Sequence, residues 1–391
     1  MLPSTSLALA CLSGRRLYTF AAPTSDSPAA YSSEGAPSSQ WPVDYSTSLT
    51  HWDTKIANQT SNVQKIYPGY GLDAPRVAPI NGTVSDWWYF RAFSLNGDGD
   101  VSSVNFNFYT TSPGGYPLLQ NKSTILDLEI FGSFPNGTNY WANEYPQTAS
   151  VMTAGSSSNG KWGPYGSWES SPDGKYWQLD FDMPTSELVG TVKIHSNGAP
   201  PHIACGPAVE GGEQEFHPHL WWSNALADGN AEVDLTYKGE SLSFYGIGYH
   251  DKTWEDQNLY QSVGNWYWAQ GRVGPYSFVF YDSRDRNGGE HFLSYIAKDG
   301  EIITSTCAEN SVIARPWGND ITYPPTMQSG APLGLTVDFD VEGKNFHVNF
   351  TSYGIVTENP AYTRWLATTE GGFEGEEQYN GTTVWEVVKL Q

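Results

Sequence analysis

Three short segments concentrate side chains able to move protons or to line an apolar pocket. The first, VSDWWYFRAFSL (84–95), sets Asp86 directly before Trp87, Trp88, Tyr89 and Phe90. Plain core packing accounts for most of these aromatics. A carboxylate beside them is a different matter, because losing water raises its pKa unless donors pair it. Asp86 is therefore either a structural hydrogen-bonding group or a proton donor. The second segment, GIGYHDKTWED (246–256), gathers His250, Asp251, Lys252, Trp254, Glu255 and Asp256. Strand alternation puts His250 and Lys252 on one face and Asp251 on the other. No G-x-S-x-G elbow occurs, so His250–Asp251 is not read as part of a nucleophilic triad. A buried hydrogen-bond knot holding a strand end is the plainer account of this cluster. The third segment, NWYWAQGRVGPYSFVFYD (265–282), sends Trp266 and Trp268 one way and Tyr267 the other, then turns tightly at Gly271, Gly274 and Pro275. Upstream, HPHLWW (217–222) adds His217, His219, Trp221 and Trp222.

A strand H-x-H pair such as His217 and His219 can chelate zinc, with His250 and Asp251 as further donors. Pro218 and the adjoining aromatics suit a domain junction equally well, and other ligands would have to come from afar. No metal is expected. No nucleotide-binding glycine loop appears either, so no organic cofactor is expected.

The elements that must position these groups are strands. Period-two alternation recurs in SVNFNFYT (103–110), ILDLEIFG (125–132), YWQLDFDM (176–183), AEVDLTY (231–237), YSFVFYD (276–282) and LTVDFDV (335–341). Turn signals separate such runs: Asn96-Gly97, Pro172-Asp173-Gly174, Asp228-Gly229, Asn287-Gly288 and Asp299-Gly300. No long window carries a helical stripe. Many short antiparallel strands at regular spacing mean sandwiches or barrels, an all-β class. The stretch SNGAPPHIACGPAVEGGEQE (196–215) divides two strand-dense blocks. The expected organisation is a lead-in over 1–48, one β domain over 49–215 and a second over 216–391. Residues 22–48 are rich in Ser, Pro and Ala and are expected to be disordered.

A chain of 391 residues suits two domains. Its net charge of −22 repels phosphate backbones and anionic membranes, so nucleic acid is not an expected partner. No stretch is long enough to span a bilayer. The three cysteines, Cys11, Cys205 and Cys307, make no disulfide scaffold, but Cys205 and Cys307 can pair in an exported protein. The apolar run Leu7–Leu12 lacks a basic segment before it and makes a poor signal peptide. Six glycosylation sequons, at Asn58, Asn81, Asn121, Asn136, Asn349 and Asn380, point instead to the secretory pathway. Secretory and cytoplasmic locations both stay open.

The aromatic segments resemble one family. Asp86 to Phe90, Trp221-Trp222, Gly248 to Lys252 with Trp254, and Trp266 to Trp268 followed by Gly271-Arg272 and Gly274-Pro275-Tyr276 are similar to the hydroxyneurosporene-synthase-like proteins, in order, over about residues 50–390. The resemblance implies two β domains, an N-terminal sandwich or barrel-like one and a C-terminal lipocalin-like barrel, with a ligand site between them. Bacterial members hydrate carotenoid double bonds. Fungal members include Diels–Alderases that form decalin rings and a protein that drives a cationic epoxide rearrangement in quinolone alkaloid biosynthesis. The resemblance places Asp86 at the pocket. It carries Asn359, Tyr362, Arg364 and Trp365 over from the late segment ENPAYTRWL (358–366).

The chain is therefore expected to be a cofactor-free cyclase or isomerase of secondary metabolism, holding an apolar polyketide or prenylated substrate between its domains. Diels–Alder cyclisation ranks first, because it asks only for a folded substrate conformer and one hydrogen-bond donor. Acid-catalysed epoxide rearrangement or double-bond hydration is the alternative, needing an acid and aromatic faces for positive charge. A non-catalytic lipocalin-like carrier is the rival from another class. A glycan-binding module would need Trp outside, whereas the alternation puts most of it inside. Asp86, His250 and Lys252 are the candidate catalytic residues. Trp88, Tyr109, Thr111, Trp222, Trp266, Trp268, Asn359, Tyr362 and Trp365 are the candidate substrate contacts.

Overall fold

A computed structural model describes residues 47–95, 99–116, 123–319 and 321–391. Cys11, the apolar run at 7–12, the Asn96-Gly97 turn and the Asn121 sequon lie outside the described residues. Of the 1–48 lead-in only Thr47 and Ser48 are described, and they open a strand.

The fold is all-β, as the alternation requires. Two large antiparallel sheets carry it, of fifteen and nine strands. The one described α-helix is a single turn, Leu259–Ser262, whose Tyr260 N–H is capped by the Asn258 side chain. In the first sheet, Leu220–Tyr237 and Glu240–Glu255 form a long hairpin at the centre. Ser85–Ser94, Ser103–Thr111, Leu126–Ser133 and Asn139–Glu144 follow on one side of it. In the second sheet, Val263–Val273 lies between Tyr276–Asp285 and Tyr379–Lys389, with Tyr362–Phe373 and Lys344–Asn359 beyond.

The chain changes sheets over 256–262, through the helical turn, rather than at 215. The Gly/Pro-rich stretch folds as short strands, His202–Ile203, Gly206–Pro207 and Glu215–His217, laid against Leu220–Tyr237 and its own neighbours. Its turn residues shape a local ribbon there instead of a linker. Cys205 and Cys307 form a disulfide across 102 residues and tie this ribbon to the end of the Glu301–Thr306 strand of the second sheet.

Alternation sorts the apolar side chains into three layers. Trp88, Phe90, Phe106, Phe108, Trp162, Trp168 and Trp177 fill the inside of the first sheet. Tyr267, Phe278, Phe280, Phe339, Phe350 and Trp385 fill the inside of the second. Trp87, Tyr89, Trp222, Tyr249, Trp266, Trp268 and Tyr281 pack between the two sheets. The key strands are thus covered on both faces: all ten residues of Ser85–Ser94 are buried. Register shifts between Asn224 and Leu226 and between Leu226 and Gly229 mark bulges opposite Gly248 to Asp251. They bend the central hairpin where it passes the layer between the sheets.

Candidate active site

The layer between the sheets is not fully packed. A cavity of about 150 Å³ opens there. The first sheet contributes Trp87, Tyr89, Asn107, Tyr109, Glu129, Phe131, Asp251 and Thr253; the second contributes Trp266, Trp268, Tyr281, Tyr362, Arg364 and Glu386. Trp141 is 53% exposed, lines the same space and stacks on Phe131 at 5.5 Å. Such a chamber favours a flat, largely apolar ligand with a few fixed polar contacts.

Beside the Asn107 amide, which donates to Glu129 at 3.4 Å, two sets of polar groups face the cavity. On the second sheet, Glu386 accepts hydrogen bonds from Trp266 Nε1 at 3.0 Å, Tyr362 Oη at 2.8 Å and the Arg364 guanidinium. Arg364 also reaches Tyr89 Oη and Asn105 Oδ1 on the first sheet. Its carboxylate and phenol partners outweigh burial and hold the guanidinium well above its usual range, so it stays cationic. On the first sheet stands Asp251. Burial pushes its carboxyl up to about 7, and the Glu386 charge adds to this; Trp222, Tyr249 and the Arg364 charge oppose it. Tyr249 Oη donates to Asp251 Oδ2 at 2.8 Å. One carboxyl thus has its pKa raised toward neutral pH beside a second that is bound to a cation. A carboxyl raised in this way is able to give up a proton near neutral pH.

Among the expected substrate contacts, Tyr109, Trp266, Trp268, Asn359 and Tyr362 line the cavity. Trp222 lies one layer behind, in the same apolar cluster and 6.1 Å from Tyr281. Thr111 sits past the rim, its hydroxyl donating to the backbone oxygens of Val84 and Ser112. Trp88 points into the core of the first sheet, donating to Asp73 O at 2.6 Å. Trp365 points into the second sheet and stacks on Trp385 at 4.1 Å.

The three expected catalytic groups lie on the far side of the first sheet, away from the cavity. Asp86 pairs with Lys252, both fully buried, and accepts the Arg76 and Val77 N–H groups at 2.8 and 3.2 Å. Lys252 lies 4.1 Å from the Trp88 ring centroid, and burial pushes its ammonium well below the usual range. His250 stacks on Phe90 at 3.7 Å, with Nδ1 on Tyr89 O at 3.0 Å and Nε2 on Asp73 at 3.2 Å. The reason is parity. Asp86, Trp88 and Phe90 share one face of their strand, while Trp87 and Tyr89 share the other. On the paired strand His250 and Lys252 face inward and Asp251 faces the cavity.

The sequence reading placed Asp251 on the opposite face from His250, and of the two it is Asp251 that lines the cavity. Glu386 was missed altogether. Its signal is a lone carboxylate inside the apolar run TTVWEVVK (382–389), at a position that alternation buries. His217 and His219 do not converge. His217 meets Ser283 Oγ at 3.0 Å, and burial drops its ring to about 3; His219 meets Asp256 at the surface. Among the described residues, no three His, Cys, Asp or Glu side chains stand together as a metal would need.

Known proteins share this architecture. The quinolone epoxide rearrangement protein penF of Penicillium thymicola is 34% identical over 86% of this chain and 94% of its own length. The quinolone epoxide rearrangement protein asqO of Emericella nidulans is 32% identical over 85% of this chain and 93% of its own. More distant relatives are named Diels-Alderases. The crystal structure of CghA with Sch210972 superposes with a TM-score of 0.71, covering 88% of this chain and 99% of that one at 16% identity, which fixes the fold as the two-domain, lipocalin-like one. Residues 48–314 match the family described as Diels-Alderase-like, and with two relatives above 30% identity across most of its length the chain belongs to that family.

Proposed function

We propose that the protein is a cofactor-free isomerase that rearranges an epoxide on an apolar, prenylated or quinolone-like substrate, with Asp251 as the proton donor. The carrying observation is a carboxyl held up to about 7 that faces an aromatic chamber. Neutral Asp251 gives its proton to the epoxide oxygen as one carbon–oxygen bond breaks, and the bond's electron pair goes to that oxygen. Positive charge develops on carbon, where the faces of Trp266, Trp268 and Tyr281 shelter it. A bond within the substrate forms or migrates to quench the charge. An O–H or C–H bond of the resulting cation then breaks, its electron pair staying with the substrate and its proton passing to the Asp251 carboxylate, so that substrate and product are isomers. Walls that exclude water keep the cation from being trapped as a diol. Tyr109, Trp266, Trp268, Asn359 and Tyr362 are the substrate contacts of this proposal.

The names of the two relatives above 30% identity support this ranking over cyclisation. The second reading, a Diels–Alder cyclisation, is favoured by Arg364, a buried cation at the cavity wall able to polarise a carbonyl. The wider kinship with hydroxyneurosporene-synthase-like proteins, carried by Asp86 to Phe90 and Gly248 to Lys252, belongs to the same proposal.

Asp251→Asn separates these cases, because the amide keeps shape and a donor but gives up no proton. Turnover of an epoxide substrate, followed by chromatography of the isomers, should fall about 10²–10⁴-fold. A pericyclic reaction helped only by hydrogen bonding should survive with a modest loss. Tight binding without turnover by the unmodified protein points to a carrier.

A further inference from the structure

A carboxylic acid has one proton and two oxygens, and only one oxygen of Asp251 is spoken for by a phenol. Tyr249 precedes Asp251 by two residues on the same strand, so both side chains leave the same face and stand side by side. Its hydroxyl donates to Oδ2 at 2.8 Å. The ring has no room to swing. It is fully buried, meets Tyr89 edge-on at 6.1 Å and Trp268 at 5.6 Å, and lies 5.3 Å from the Arg91 guanidinium. Tyr249 itself does not line the cavity, whereas Asp251 does.

We infer that Tyr249 is a positioning residue: by occupying Oδ2 it makes that oxygen the carbonyl-like one and leaves Oδ1 to carry the reacting proton into the cavity. The inference rests on the reading of Asp251 as the acid. The phenol ionises only far above the carboxyl, since burial and Asp251 together hold it well above its usual range. It therefore donates in both states of Asp251, and it favours the ionised state, because hydrogen bonds to the charged form stabilise that form. Other elements present Trp222, Tyr89, Tyr281, Arg364 and Glu386 to the same carboxyl. Of these, the Trp222 indole as a hydrogen-bond donor and the Arg364 charge favour the carboxylate, and Glu386 opposes it. The assignment of the proton to one oxygen follows from Tyr249, the one phenol in hydrogen-bond contact with Asp251 among the described residues.

Two changes at position 249 test this without a known substrate. Tyr249→Phe removes only the hydroxyl, and ring-fluorinated tyrosine keeps the packing while making the phenol a stronger donor. The readout is the infrared carbonyl band of protonated Asp251, identified by its loss in Asp251→Asn and titrated from pH 4 to 9. In Tyr249→Phe the midpoint should rise by about one pH unit, and in the fluorinated protein it should fall. With an epoxide substrate, kcat of Tyr249→Phe should drop about 10-fold with KM little changed, and the alkaline limb of its pH profile should move with the band. A midpoint that stays put in both variants overturns the inference and leaves the acid reading standing. Absence of any protonated Asp251 band between pH 5 and 7 in the unmodified protein overturns the acid reading itself.

Discussion

At Asp251, burial couples folding to proton uptake. Its usual value is 3.8 and its folded value about 7, so between these pH values the folded chain holds a proton that the unfolded chain has released. This group's share of the stability therefore declines as pH rises through that window and levels off above it. Asp251→Asn removes the penalty. It should raise the unfolding free energy at pH 8 by up to about 4 kcal/mol, and have little such effect at pH 4. Urea melts at the two pH values check this. The buried Asp86–Lys252 pair gives a contrasting case. Lys252→Met leaves a carboxylate stranded in the core and should cost about 3–5 kcal/mol. Turnover per folded molecule should hold, because neither partner touches the cavity. A specific loss of kcat in a fully stable Lys252→Met would return this pair to the chemistry.

At the scale of strands, what the sequence made legible and what it hid have one cause. The alternation in 103–110, 125–132 and 276–282 is plain, and each run is a strand. Alternation names two faces, however, and does not say which meets the ligand. When one face is polar the question answers itself. In Ser85–Ser94 both faces are aromatic and buried, so Trp87 and Trp88 read alike although one lines the cavity and the other a closed core. The same ambiguity drew the expected catalytic residues to Asp86, His250 and Lys252, on the face turned away from the cavity. Trp266 and Trp268 were legible because their partner Tyr267 took the opposite face in the same three residues. Glu386 was hidden because its importance comes from Trp266, Tyr362 and Arg364, which lie 120, 24 and 22 residues away. Substitution separates the faces. Trp88→Leu should lower the melting temperature and leave ligand affinity unchanged. Trp266→Leu should weaken ligand binding, followed by quenching of the remaining Trp fluorescence, with a smaller effect on melting.

At the scale of the molecule, several fastenings hold the sheets together, among them the Arg272–Asp228 ion pair, the Cys205–Cys307 disulfide and Arg364. The Cys205–Cys307 disulfide closes a long loop. In the chain-entropy account a loop of about 100 residues is worth about 4–5 kcal/mol, so Cys205→Ser should lower the melting temperature, and reductant should do the same to the unmodified protein and nothing further to the variant. A further fastening is Arg364, which grips Tyr89 and Asn105 on the first sheet and Glu386 on the second, at the wall of the chamber itself. A chamber that is bolted together at its own wall makes cooperativity and occupancy one phenomenon. The two sheets should melt as a single calorimetric transition, and a bound ligand should move that whole transition upward. Once the guanidinium is gone, as in Arg364→Met, the heat-capacity peak should broaden toward two events, with the ligand shifting neither.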